Sequence, residues 1–248
     1  MPYFMCLFLV IFLFSCQREK LYQSTEFTIK HDRVEQDTFR AVARSATHLV
    51  SNYVPQSPPE SDVEKKDHGQ GVKEWKLSED ISRFPAHRSG QLLVDALYNL
   101  SLEEVLLNLR GDGAFMAGEE WTGVWTRDIS YSILLSLAFL HPEAAKTSLR
   151  LKVQNDRIIQ DTGTGGSWPV STDRMTWAPA AWEVYKVTGD REWLQYAFRI
   201  IRNSAEDDLL TAYDAQTGLF NGESSFLDWR EQSYPRWMDP KDIYASQC

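Results

Sequence analysis

The chain has 248 residues, with 26 Lys and Arg against 35 Asp and Glu, and so a formal net charge of −9. That sign disfavours a nucleic-acid partner, whose phosphates call for a basic surface, while 43% hydrophobic and 25% charged residues are globular rather than disordered composition and allow a sizeable core. Nine Trp and ten Tyr are many for one large or two small domains, and such residues line sugar or peptide grooves or serve packing alone.

In chain order, Tyr3 to Ser15 carry no charge, and Phe8 to Phe14 form an unbroken apolar run. The run is too short for a bilayer, which wants about 20 residues, so residues 1–15 read as an export signal. Leu13-Phe14-Ser15-Cys16 followed at once by Gln17-Arg18-Glu19-Lys20 resembles the lipobox of a bacterial lipoprotein signal. The resemblance implies lipidation at Cys16 and an exported, lipid-anchored protein of the bacterial cell envelope that meets the membrane only through that anchor. Cys6 and Cys16 belong to the signal and Cys248 stands alone, so the mature chain has no disulfide framework. His31, His48, His68, His87 and His141 form no close pair at metal-ligand spacing, and neither a metal nor another cofactor is expected.

Residues 16–54 form a short β-rich segment: Phe27 and Ile29 alternate with polar neighbours, Phe39, Ala41 and Ala43 do so again, and Leu49 to Val54 give a third strand. Pro55-Gln-Ser-Pro-Pro-Glu-Ser opens a Pro-rich, then charged stretch, and 55–88 reads as a linker. From residue 89 the period becomes helical. Leu92, Leu93, Ala96, Leu97 and Leu100 share a face, and Leu102, Val105, Leu106 and Leu109 extend it to Gly111. Asp128 is expected to cap the next helix, which carries Ile129, Ile133, Leu134, Leu137 and Leu140 on one stripe. Pro142 suits the first position of another helix, to about Val153. A further helix covers about Met175 to Val187, breaks at Thr188-Gly189-Asp190, and resumes with Trp193, Tyr196, Ala197, Ile200 and Ile201. The result is a mainly α chain of antiparallel helical hairpins over 89–248, preceded by the β-rich segment. Three longer connections, 111–126, 160–173 and 217–235, are rich in Gly, Trp and acids, and a site is expected on them.

Trp121-Thr-Gly-Val-Trp125-Thr126-Arg127-Asp128 sets aromatic faces, a guanidinium and a carboxylate at the entrance of a helix. Such a set holds vicinal hydroxyls by paired hydrogen bonds while Trp stacks on the ring. The Trp-Thr-Arg-Asp tetrad resembles that of glucoamylase-type and related six-hairpin, (α/α)6-toroid glycoside hydrolases, in which Arg and Asp hold the non-reducing-end sugar. The resemblance makes Trp125, Arg127 and Asp128 substrate-binding residues. Trp182-Glu183-Val-Tyr185 through Thr188-Gly189-Asp190 to Trp193 is similar to a helix-turn-helix of the same enzymes. Trp177 and Trp182, with Asp173 nearby, line the cleft or pack the core. Glu223-Ser-Ser-Phe226-Leu227-Asp228-Trp229-Arg230 resembles the acid-bearing loop of trehalase-like and debranching-type toroid hydrolases, where an Asp protonates the leaving glycosidic oxygen. Asp228 matches that position, with Trp229 beside it in the substrate-binding set. Phe226, Leu227 and Trp229 would desolvate the carboxyl and raise its pKa, as a general acid requires, whereas pairing with Arg230 or Arg236 would lower it.

A complete ring needs twelve helices, and the stretch from Gly90 onward holds roughly half that number at ordinary helix length. An incomplete (α/α)6 toroid is therefore expected, without the base carboxylate that inverting glycosidases place about 6.5 to 9.5 Å from the acid. The resulting expectation is a glycoside hydrolase acting on an α-linked glucan or oligosaccharide by general acid/base catalysis, represented here by its N-terminal part. Two other classes stay open: a surface carbohydrate-binding lipoprotein without hydrolysis, and another toroid sugar enzyme such as an epimerase or lyase.

Overall fold

The computed structural model describes residues 22–23, 27–36, 39–52, 73–118, 122–159 and 173–220. They fall into two compact units, 1–106 and 107–248.

The first unit is a six-stranded antiparallel meander: β1 (Tyr22–Gln23), β2 (Thr28–Ile29), β3 (Arg33–Gln36), β4 (Phe39–Ser45), β5 (His48–Ser51) and β6 (Lys73–Lys76), paired in that order. Register puts the apolar residues on one face. Ile29 faces Val34 and Val34 faces Ala41, while Ala43 faces Leu49 and Leu49 faces Trp75. Helix α1 (Leu92–Leu107) lays Leu93 and Ala96 on that face, closing a core with Ala43 and Leu49 that Ile29, Val34, Trp75, Leu92 and Leu100 extend. The other face is charged, with Glu35 meeting Lys30, Arg33 and Arg40 at 3.5, 3.0 and 3.4 Å.

Two expectations are corrected here. The stretch 55–88, read as a linker, contains β6, which pairs along β5 from Ser51↔Lys73 to His48↔Lys76. Its sequence Lys-Glu-Trp75-Lys has a single apolar residue, too short an alternation to stand out. The same holds for Arg-Val34-Glu-Gln of β3. Helix α1, grouped by period with the later helices, instead covers the sheet, so the described chain is mixed α and β rather than mainly α with a small β appendage.

The second unit begins with a loop in which Leu109 bridges Phe115, followed by helix α2 (Thr126–Ser132). This helix runs through a π-helical stretch, Ile133–Leu137, into a last turn, Ala138–Leu140. Then come α3 (Pro142–Leu151), the hairpin β7 (Val153–Gln154) and β8 (Arg157–Ile158), α4 (Asp173–Thr188), α5 (Arg191–Thr211), and the hairpin β9 (Tyr213–Asp214) and β10 (Leu219–Phe220). Pro142 stands at the start of α3 as expected, and His141 Nδ1 accepts the Ala144 N–H there at 3.4 Å. Asn155 and Asp156 have φ of 52° and 55°, the left-handed pair that a two-residue hairpin turn demands. Asp128 is not the cap of α2: Trp125 is, and Asp128 sits in the first turn, where its charge favours the positive end of the helix.

Helix α4 is central to this unit and packs on α2, α3 and α5. Trp177 and Trp193 lie at its core with ring centroids 6.2 Å apart. Their indole N–H groups donate to the carbonyls of Leu149 at 3.0 Å and Ala181 at 2.9 Å. Ile129, Ile133, Val184 and Ile200 are buried around them. Leu135 and Phe139, in and just after the π-helical stretch, are 80% and 64% exposed. Among the described residues no helix is long and apolar enough to cross a membrane.

Candidate functional site

Connectivity distinguishes the two ends of the second unit. The short turns, His141 between α2 and α3 and Gly189-Asp190 between α4 and α5, share one end, where Lys146 Nζ reaches Asp190 at 2.9 Å. The long connections leave from the other end. There lie the first turns of α2 and α4 and the last turns of α3 and α5, and Arg174 meets Asp207 and Asp208.

At that end the entry to α2 is built from its own loop. Arg110 Nη1 donates to the Thr122 carbonyl at 3.1 Å, and the Ala117 N–H donates to the Gly123 carbonyl at 2.9 Å, which fixes residues 122–123 against the loop. The Trp125 indole lies over Gly123, where a Cβ would touch it at 3.5 Å. Phe115 anchors the loop to α3 through its N–H on Ser148 Oγ at 2.8 Å. Trp125 and Arg127 are half-buried and Asp128 is exposed, so the tetrad presents a partly sheltered indole and guanidinium beside an open carboxylate.

Asp173 is the first residue of α4, at the same end. Trp177, expected to line the cleft or to pack the core, is fully buried and bonded to Leu149, so its place is the core. Trp182 is 50% exposed and pairs with Tyr185 at 5.1 Å between centroids. It lies about 13 Å along the helix axis from Asp173 at the usual rise per residue, away from the end that carries the first turns of α2 and α4. Asp228, Trp229 and Cys16 lie outside the described residues, as does Trp121.

Sequence reasoning passed over the charged cluster beside Asp173. Arg174 is nearly buried; it donates from Nε to the Ile158 carbonyl at 2.8 Å and from Nη1 to Asp207 at 3.0 Å, to Asp208, and to the Ser204 carbonyl at 3.4 Å. Burial pushes the Asp208 carboxyl above its ordinary value despite the attraction of Arg174. The one signal available was Asp207-Asp208 near the end of an otherwise regular helix. Among the described residues no group of three or more His, Cys, Asp or Glu is placed to hold a metal ion. Comparison of the chain with protein-family models, curated proteins and solved structures returns no match.

Proposed function

We propose that the chain belongs to an exported glycoside hydrolase acting on an α-linked glucan or oligosaccharide, with Arg127 and Asp128 binding the terminal sugar, Trp125 beneath it, and Asp228 as general acid. One observation carries the reading. The Trp125-Thr126-Arg127-Asp128 tetrad, which resembles the sugar-holding tetrad of six-hairpin hydrolases, stands at the start of α2, at the end of the unit from which the long connections depart. The same reading makes α2 to α5 successive hairpins of an (α/α)6 ring. It is supported by the direct packing of the alternate helices α2 and α4, as expected of neighbours in one layer of such a ring. Export and lipid attachment at Cys16 follow from the signal-like N-terminus.

The experiment uses the whole protein with maltooligosaccharides and soluble starch, measuring released reducing ends and, separately, binding by calorimetry. Asp228→Asn is expected to cut turnover by a factor of about 10² to 10⁴, the span of a general acid, with binding kept. Arg127→Ala is expected to weaken binding. Unchanged turnover in Asp228→Asn overturns the acid assignment, and saturable binding without any hydrolysis by the unaltered protein points instead to a carbohydrate-binding lipoprotein.

A further inference from the structure

We propose that Arg174 is a positioning residue: its guanidinium clasps together the two flanks of the long connection 160–172 and thereby sets where Asp173, the first residue of α4, stands at the site end of the helical unit. The inference rests on the functional reading above for the role of Asp173, and on geometry for the clasp itself.

The connection leaves β8 at Ile158-Ile159 and re-enters at Asp173. Arg174 Nε donates to the Ile158 carbonyl at 2.8 Å, so one hydrogen bond joins the strand before the connection to the first turn of the helix after it. The Ile158 N–H in turn donates to Ser204 Oγ of α5 at 2.9 Å, and that hydroxyl donates to the Ile200 carbonyl at 2.8 Å. The other arm of the guanidinium reaches Asp207 and Asp208 on α5, and Arg157 adds a 3.6 Å contact to Asp207. Hairpin, helix start and helix end thus meet on one cation whose side chain is 11% exposed. A fork with several fixed donors can satisfy a carbonyl and two carboxylates together, which an ammonium on a flexible stem cannot do in the same geometry. The consequence is a fixed first turn of α4.

The test uses the full chain with Arg174→Gln, Arg174→Lys and Asp173→Ala, read by site-resolved amide exchange and by the dissociation constant for maltoheptaose. The Trp177 and Ala178 amides close the first turn on the Asp173 and Arg174 carbonyls. They are expected to exchange at least tenfold faster in Arg174→Gln, with Val184 to Val187 unchanged. Affinity for maltoheptaose is expected to fall about tenfold in Arg174→Gln and in Asp173→Ala, with no further loss in the double variant. Arg174→Lys retains the charge but lacks the Nε donor, and it serves if Arg174→Gln does not fold. Unaltered exchange at Trp177 and Ala178 overturns the clasp. Faster exchange with wild-type affinity overturns the positioning of the site. Should the unaltered protein bind no maltoheptaose, the functional reading and the positioning of a sugar site both fail, and the exchange arm still decides the clasp.

Discussion

Glu103 on α1 takes both the backbone N–H and the hydroxyl of Ser78 on one carboxylate oxygen, at 2.6 and 2.8 Å. The same oxygen accepts the Glu79 N–H at 2.9 Å, and the other accepts the Trp75 indole N–H at 2.5 Å. A carboxylate that is only 2% exposed therefore ties the end of β6 and the following segment to the helix covering the sheet. Burial acts to raise its pKa, but these four donors outweigh burial and hold it down at about 2, against an ordinary 4.5.

The sign follows from linkage. The fold prefers the ionised form, so the contribution is complete above the ordinary carboxyl value and is lost as pH falls from about 4.5 through about 2. A shift of that size corresponds to about 3 kcal/mol. Urea unfolding at pH 7 and at pH 3 is expected to show about 2 kcal/mol of this loss in the unaltered protein, since pH 3 still lies above the folded value. Glu103→Gln is expected to be about 2 to 3 kcal/mol less stable at pH 7 and to lose much of that pH dependence. Parallel acid profiles for the two proteins would count against the account.

This bond network also shows where sequence reading stops. The apolar alternation of Phe39, Ala41 and Ala43 and the helical period from Leu92 are local signals, and β4 and α1 follow them. Whether α1 joins the other helices or covers the sheet depends on non-local contacts such as Glu103 with Ser78 and Asn99 with the Ala46 carbonyl, which no window of sequence displays. At the candidate site the tetrad and the opening of α2 were legible because they are contiguous. The meeting of Arg174 with Ile158 and Asp208 was not, since its partners are 16 and 34 residues away.

Asp190 has two duties at the opposite end of the helical unit. Its Oδ1 caps α5 by accepting the N–H groups of Glu192 at 2.9 Å and Trp193 at 3.0 Å, and its Oδ2 accepts from Lys146, whose side chain is 8% exposed. The Trp193 N–H foremost, and then Lys146, hold its carboxyl below the ordinary value. Asp190→Asn keeps an acceptor for the cap but leaves Lys146 with Glu143 alone, and is expected to lower the unfolding midpoint. Asp190→Ala removes both functions and is expected to lower the unfolding midpoint further. Thermal unfolding of Asp190→Asn with and without Lys146→Met checks the division, because replacing the stranded ammonium should recover part of the loss.

Gly189, just before that cap, has φ of 65°, and its N–H donates to the Tyr185 carbonyl at 2.7 Å, so it ends α4 in the left-handed conformation. Nothing lies within 4 Å of where its Cβ would stand, so the cost of Gly189→Ala is backbone strain alone. About 1 to 2 kcal/mol is expected, and Gly189→Asn should lose less because Asn tolerates this region. Equal midpoints for Gly189→Ala and the parent would show that the turn relaxes.

The two tryptophans of α4 make opposite predictions. Trp177 is fully buried, touches Trp193 and gives its indole N–H to Leu149. Trp177→Phe removes one of that carbonyl's two donors, leaving the Lys152 N–H at 3.1 Å, and empties part of the volume, for an expected cost of about 1 to 3 kcal/mol, while Trp177→Ala is expected to cost about 3 to 5 kcal/mol. Trp182 is half exposed and packs chiefly on Tyr185, so Trp182→Ala should change stability by about 1 kcal/mol at most. Chemical denaturation of the three variants tests that ordering. Maltoheptaose binding then separates packing from recognition. Trp177→Phe should bind as the parent does once folded. Because Trp182 stands about 13 Å along α4 from Asp173, weakened binding in Trp182→Ala would mean that a bound chain extends along the exposed side of α4, and unchanged binding would confine recognition to the end that carries Trp125, Arg127 and Asp128.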